Sequence, residues 1–124
     1  MTYLWVAIGG GIGAVLRFAV VQWVTDRASF PFPWGTLVVN LTGSLVIGFL
    51  LALLIARDAD PTLRFLLVTG VLGGYTTFSA FSYEVLSLLQ EARWLAALFY
   101  ALGSVVLGLV AAAIGYWLAI TLTP

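Results

Sequence analysis

The chain has 124 residues, of which 63% are hydrophobic and 8% charged, and its formal net charge is zero. An average soluble domain carries about 25% charged residues, and at this length roughly 30% of the unfolded chain's surface stays exposed after folding, so a water-soluble fold has too little polar surface to be formed. With no cysteine and no histidine, disulfides, thiol chemistry, histidine bases and the usual transition-metal sites are excluded; there is no basic patch for nucleic acid, and nothing marks the chain as an enzyme.

A bilayer core of about 30 Å needs about 20 apolar residues in a helix. Charges and prolines divide the chain into four such stretches, at about 2–24, 33–56, 62–89 and 94–122. The expectation is an all-α membrane protein, with residues 1–124 forming a single four-helix transmembrane domain with short connections.

The first helix lacks a basic leader and a clear cleavage site, so it reads as a retained span. It contains Arg17, a costly group in lipid unless its head reaches the interface. Pro33 opens the second helix. There Thr36, Asn40 and Ser44 recur at helical spacing and share one face.

The third helix holds the most unusual segment, Gly70–Glu84, with three glycines, four hydroxyl residues, two phenylalanines and a carboxylate. Gly73-Gly74 followed by Thr76-Thr77 is poor helix material. A break is expected here, with the two glycines freeing the backbone. In a membrane such a break is tolerated only inside protein or beside a watery cavity. Thr76, Thr77, Ser79 and Ser82 offer hydroxyls, and Phe78 and Phe81 share a face. The first and third helices run in the same direction, so Glu84 falls in the same half of the membrane as Arg17. The two are expected to pair or to share a vestibule. On the fourth helix Tyr100 and Ser104 extend a polar track.

Most remaining charges lie in the connections, and tryptophans lie near the span ends as an interfacial belt requires. Arg57 and Arg64 fall on one side of the membrane, Arg27 and Arg93 on the other. That balance gives almost no orientation signal and suggests a chain that inserts both ways and pairs antiparallel with itself. Strips of small residues mark close helix contacts: Gly9 and Gly13; Gly43 and Gly48; Ser104, Gly108 and Ala112.

The intramembrane donors are one amide, several hydroxyls and aromatic edges, which carry the positive part of the ring quadrupole. Cation or proton relays use acids and histidines, and Glu84 is the single intramembrane acid. The inventory favours a small anion. A proton-coupled cation transporter would need a central acid in the first helix, which carries Arg17 instead. The other alternative is a non-transporting assembly subunit whose polar groups only hold helices together.

Three motifs now stand in order: Gly9-Gly10-Gly11-Ile12-Gly13-Ala14-Val15-Leu16-Arg17-Phe18, Gly35-Thr36-Leu37-Val38-Val39-Asn40-Leu41-Thr42-Gly43-Ser44, and Gly70 through Glu84. With them the chain resembles the CrcB/Fluc-type fluoride ion channel family over its full length. The resemblance implies an antiparallel, dual-topology homodimer in the lipid of a bacterial plasma or inner membrane, exporting fluoride passively. It implies that Asn40 donates to the ion and that Phe78 and Phe81 line the pathways, with Thr77, Ser79, Ser82, Tyr100 and Ser104 among the polar lining. Arg17 would make a vestibule electropositive, with Glu84 beside it. Backbone carbonyls of Gly73 and Thr76 would hold a structural sodium ion (Na+) at the dimer centre. Two positions depart from the family pattern: Gly108, where a further hydroxyl can stand, and Ala80, where threonine is often found.

Overall fold

The computed structural model describes residues 1–123, and among them there is helix and no strand. Four helices are long and apolar enough to cross a membrane: Thr2–Thr25, Trp34–Ala56, Pro61–Gln90 and Trp94–Leu122. At about 1.5 Å per residue the shortest, of 23 residues, is about 35 Å long, enough for the hydrocarbon core. In each span's most apolar window no more than 22% of residues are buried within the protein. The rest of that apolar surface must meet something other than water, which is the physical content of the membrane assignment.

The spans end where local chemistry stops them. Pro33 stands immediately before the second span. Asp60 caps the third, its carboxylate accepting the Thr62 N–H at 2.7 Å ahead of Pro61. The second and third spans close the same way. Asp58 and Ala92 take left-handed backbone (φ 47° and 58°). The next N–H then reaches back, Ala59 to Leu54 and Arg93 to Leu88, at 2.9 Å each.

Packing is arranged in two pairs, first span with third and second with fourth, and small residues set both. A Cβ on Gly9 would overlap the Leu66 carbonyl oxygen, and one on Gly13 the Val71 carbonyl oxygen. On the other side, Gly48 sits against the Ala112 carbonyl and Gly115 against that of Leu45. Lipid gives no hydrophobic drive between helices, so backbone contact of this closeness is the means of cohesion. The third span departs from regular α-helix over Arg64–Leu72, where it is π-helical, and this is the stretch against which the first span's glycines lie. A small aromatic and aliphatic core of Leu88, Ala97 and Tyr100, with Phe32, Leu37, Phe81 and Val85 around it, ties the end of the third span to the second and fourth.

Candidate functional site

The site is built around an interruption of the third span. The helix runs through the Thr76 N–H, which donates to the Leu72 carbonyl at 3.0 Å. Thr76 (φ −80°, ψ 157°) and Thr77 (φ −150°, ψ 124°) are then extended, and helix resumes at Phe78. Gly73 has ordinary helical dihedrals, φ −62° and ψ −37°. The expectation that the glycines free the backbone is therefore corrected. The unwound residues are the threonines, whose branched side chains suit extended backbone. Gly74 is small for another reason: a Cβ there would overlap the Gly10 carbonyl of the first span.

Unwinding leaves polar backbone groups that need partners. Asn40 takes two of them. Its Nδ2 donates to the Thr77 carbonyl at 2.9 Å, and its Oδ1 accepts the Thr77 N–H at 2.8 Å. Arg17 takes a third, Nη1 donating to the Thr76 carbonyl at 3.1 Å. Thr77 Oγ1 accepts the Ala80 N–H at 3.2 Å and so caps the helix that follows. The helical donor to the Gly73 carbonyl would be the Thr77 N–H, which goes to Asn40 instead. No other backbone N–H among the described residues replaces it.

A cavity of about 330 Å³ opens beside the interruption, lined by Asn40, Ser44, Thr76, Thr77, Phe78, Phe81 and Ser104, with Ile47 and Val105. An amide nitrogen has two hydrogens, and Asn40 uses one on Thr77, so one is left. The Ser104 hydroxyl is buried without a partner, which in a folded protein calls for a water or a ligand. No carboxylate lines this cavity. Phe78 and Phe81 stand with ring centroids 5.7 Å apart. Phe78 is 79% exposed, so its ring projects away from the chain.

One turn along the same helices lies a second polar cluster. Glu84 accepts hydrogen bonds on both oxygens: Thr36 Oγ1 donates to Oε1 at 2.6 Å and the Tyr100 hydroxyl donates to Oε2 at 3.0 Å. Arg17 forms no ion pair with Glu84, and the expected pairing is corrected. Arg17 is drawn to the loose carbonyl of Thr76, and two hydroxyls already satisfy the carboxylate. Glu84 and Thr36 line another cavity of about 330 Å³, which extends to Thr25, Ser87, Glu91 and Arg93 at the end of the bundle. Tyr100, 1% exposed, stands between the two spaces. Its ring makes edge contacts with Phe81 of the first (5.1 Å) and with Phe32 of the second (5.3 Å).

Asn40, Thr77, Phe78, Phe81 and Ser104 thus come together around one cavity, and Glu84 and Tyr100 form the cluster beside it. Two of the sequence candidates stand apart. Ser82 is exposed and donates to the Phe78 carbonyl at 3.0 Å, and Ser79 is exposed with its hydroxyl 3.4 Å from that of Thr77. Neither lines either cavity. Sequence reasoning missed the Arg17 contact, because its acceptor is a backbone carbonyl 59 residues away. It also missed the Thr42–Tyr75 hydroxyl pair at 2.9 Å. The signal for Ser44 and Thr36 was present in their spacing from Asn40.

The chain matches the family model described as CrcB-like protein, Camphor Resistance (CrcB), over residues 4–116. It is 49% identical over 109 residues to a protein of Rhizobium meliloti (strain 1021) named Fluoride-specific ion channel FluC, covering 87% of each chain. It is 49% identical over 112 residues to the protein of the same name from Aquifex aeolicus (strain VF5), covering 90% of each chain. The namesake from Thermus thermophilus is 47% identical over 114 residues, covering 92% of this chain and 90% of the relative.

Proposed function

The chain belongs to the CrcB family, and from that premise we propose that it is a fluoride-selective channel, passing the ion down its gradient through narrow paths beside the interruption. One observation carries the reading. Asn40, Thr77, Phe78, Phe81 and Ser104 converge on a cavity free of carboxylates, in which an amide N–H and a hydroxyl stand unused. Fluoride is small and strongly hydrated, so a dry passage must replace its water with closely set donors. Here these are the spare Asn40 N–H, the Ser104 hydroxyl and the ring edges of Phe78 and Phe81. A larger halide meets the same donors at poorer fit.

The bundle-end cavity lies beside this path, and there the Thr36 and Tyr100 hydroxyls are committed to Glu84, which keeps that carboxylate occupied and away from the cavity at the interruption. Arg17 holds the Thr76 carbonyl and adds positive potential beside the path. No group in the cavity beside the interruption supplies a proton relay, which favours passive conduction over coupled exchange.

We further propose an antiparallel homodimer of two oppositely inserted copies, in a bacterial plasma or inner membrane. Supporting this are the two-against-two balance of Arg27 and Arg93 against Arg57 and Arg64, the projecting Phe78 ring and the open face at Gly73. A Cβ on Gly73 would find nothing nearer than the Val68 oxygen at 3.8 Å. A sodium ion on the dimer axis would draw on the Gly73 and Thr76 carbonyls of both copies. The donor type fits, since hard cations take carbonyl oxygens, and the Gly73 carbonyl has no backbone donor. The Thr76 carbonyl is shared with the Arg17 guanidinium, so one chain offers a single free carbonyl and the site needs the second copy. When bound, sodium supplies charge that fixes the carbonyls of the interruption.

Expression in a bacterium lacking fluoride export tests the reading. Restored growth in fluoride is the expected result. Continued sensitivity, with the protein present in the membrane, would leave only an assembly role.

A further inference from the structure

The connection between the first and second spans carries a group that the ion path does not use. Arg27 lies just beyond the end of the first helix, at Thr25. Its guanidinium carbon sits 4.4 Å from the centre of the Trp23 ring, and Nη1 donates to the Trp23 carbonyl at 3.1 Å. Stacking and hydrogen bond together hold the head in one place. A guanidinium has five N–H donors, and one is spent. Asp26 is the sequence neighbour, yet among the described residues the one ion pair is Arg93 with Glu91 at 3.8 Å, and Arg27 has no carboxylate within reach.

Below this head runs a trough of about 590 Å³, lined by Trp23, Val24, Arg27, Ser29, Phe30, Trp34 and Val38. Its polar groups, Arg27 and Ser29, lie in the connection. Its floor, Val24 and Val38, lies inside the two spans. Trp23, Phe30 and Trp34 form the walls and are 59%, 60% and 39% exposed. The space therefore begins at headgroup depth with a cation and a hydroxyl, and continues into the hydrocarbon as apolar wall. Charge and polarity change along it as they do along one lipid molecule.

We propose that this trough binds an anionic phospholipid, with the headgroup phosphate on Arg27 and Ser29 and one acyl chain between Trp23, Phe30 and Trp34. The assignment uses the membrane reading but not the identity of the transported ion, so its failure would leave fluoride conduction untouched. Near a surface one arginine favours anionic lipid by roughly fivefold.

The test uses the full chain, with Trp5, Trp94 and Trp117 changed to Phe so that emission comes from Trp23 and Trp34. It is reconstituted in phosphatidylcholine vesicles containing a small equal fraction of either brominated phosphatidylglycerol or brominated phosphatidylcholine. Brominated phosphatidylglycerol should be enriched at the trough by roughly fivefold, seen as stronger quenching. Arg27→Gln should abolish the preference and Arg27→Lys retain part of it. Equal quenching by the two lipids, or a preference that survives Arg27→Gln, overturns the proposal. Should the triple variant not fold, native mass spectrometry of the unmodified chain decides it: phosphatidylglycerol retained over phosphatidylcholine, and lost in Arg27→Gln, supports the site, and no retention refutes it.

Discussion

Asn40→Asp separates the structural work of Asn40 from the work on an ion proposed for it. The carboxylate keeps the acceptor that holds the Thr77 N–H at 2.8 Å, and loses the donor that reaches the Thr77 carbonyl at 2.9 Å. The structural cost is one hydrogen bond to a half-buried carbonyl, about 1–3 kcal/mol. The cost to a passing anion is larger. A full negative charge about 4 Å from the ion, at an effective dielectric of about 20, opposes it by about 4 kcal/mol. At about 1.4 kcal/mol per factor of ten, flux should fall by about a thousandfold. Fluoride efflux from liposomes, read with a fluoride electrode, measures the loss, and circular dichroism and size-exclusion profiles report the fold. The expected outcome is a folded protein that does not conduct. A folded Asn40→Asp protein conducting within about tenfold of the parent would place the ion well beyond the 4 Å used here and remove Asn40 from the path.

Phe78→Ile and Phe81→Ile should each lower fluoride flux while leaving the fold intact, because an aliphatic group has no positive ring edge to offer; unchanged rates in both would make the rings packing only. Gly73→Leu should leave the single chain undisturbed, since nothing lies closer to a Cβ there than 3.8 Å. It should nevertheless prevent dimer formation, measured by cross-linking with and without sodium, and normal sodium-dependent assembly would refute the axial role. Arg17→Gln weakens a charge-assisted bond to the Thr76 carbonyl, worth about 1.5–3 kcal/mol. Hydrogen exchange at Thr77 and Phe78 should accelerate, and unchanged protection would show that Arg17 does not hold the interruption.

The four spans were legible in the sequence because hydrocarbon imposes a single strong pattern, about 20 apolar residues between charges. The ends fall within a residue or so of expectation, at Thr25, Trp34, Pro61 and Gln90. The shared face of Thr36, Asn40 and Ser44 was legible for a similar reason, as helical spacing fixes direction. Other features were not. That Gly73 and Gly74 would be helical and Thr76 and Thr77 extended depends on tertiary contact. Gly10 of the first span requires a glycine at position 74, and Asn40 of the second rewards an extended residue at 77 with two hydrogen bonds. Local propensity ranks glycine as the weaker helix former and has no term for either partner. Of the two arrangements expected for Arg17 and Glu84, the direct pair failed in the same way: opposite charges in one half of the membrane suggest a pair, but a loose carbonyl and two nearby hydroxyls were better partners for each. Side-chain type announces charge; only the fold shows which backbone groups are left needing it.

Which ion passes is decided by comparing two halides in one preparation. The purified chain is reconstituted in liposomes loaded with equal concentrations of fluoride and chloride, and the release of each is followed as the potential is clamped with a potassium ionophore. Rapid fluoride release with chloride retained, stopped by Asn40→Asp, is expected of a fluoride-selective path. Release of both halides together, or of neither from well-folded protein, would contradict it.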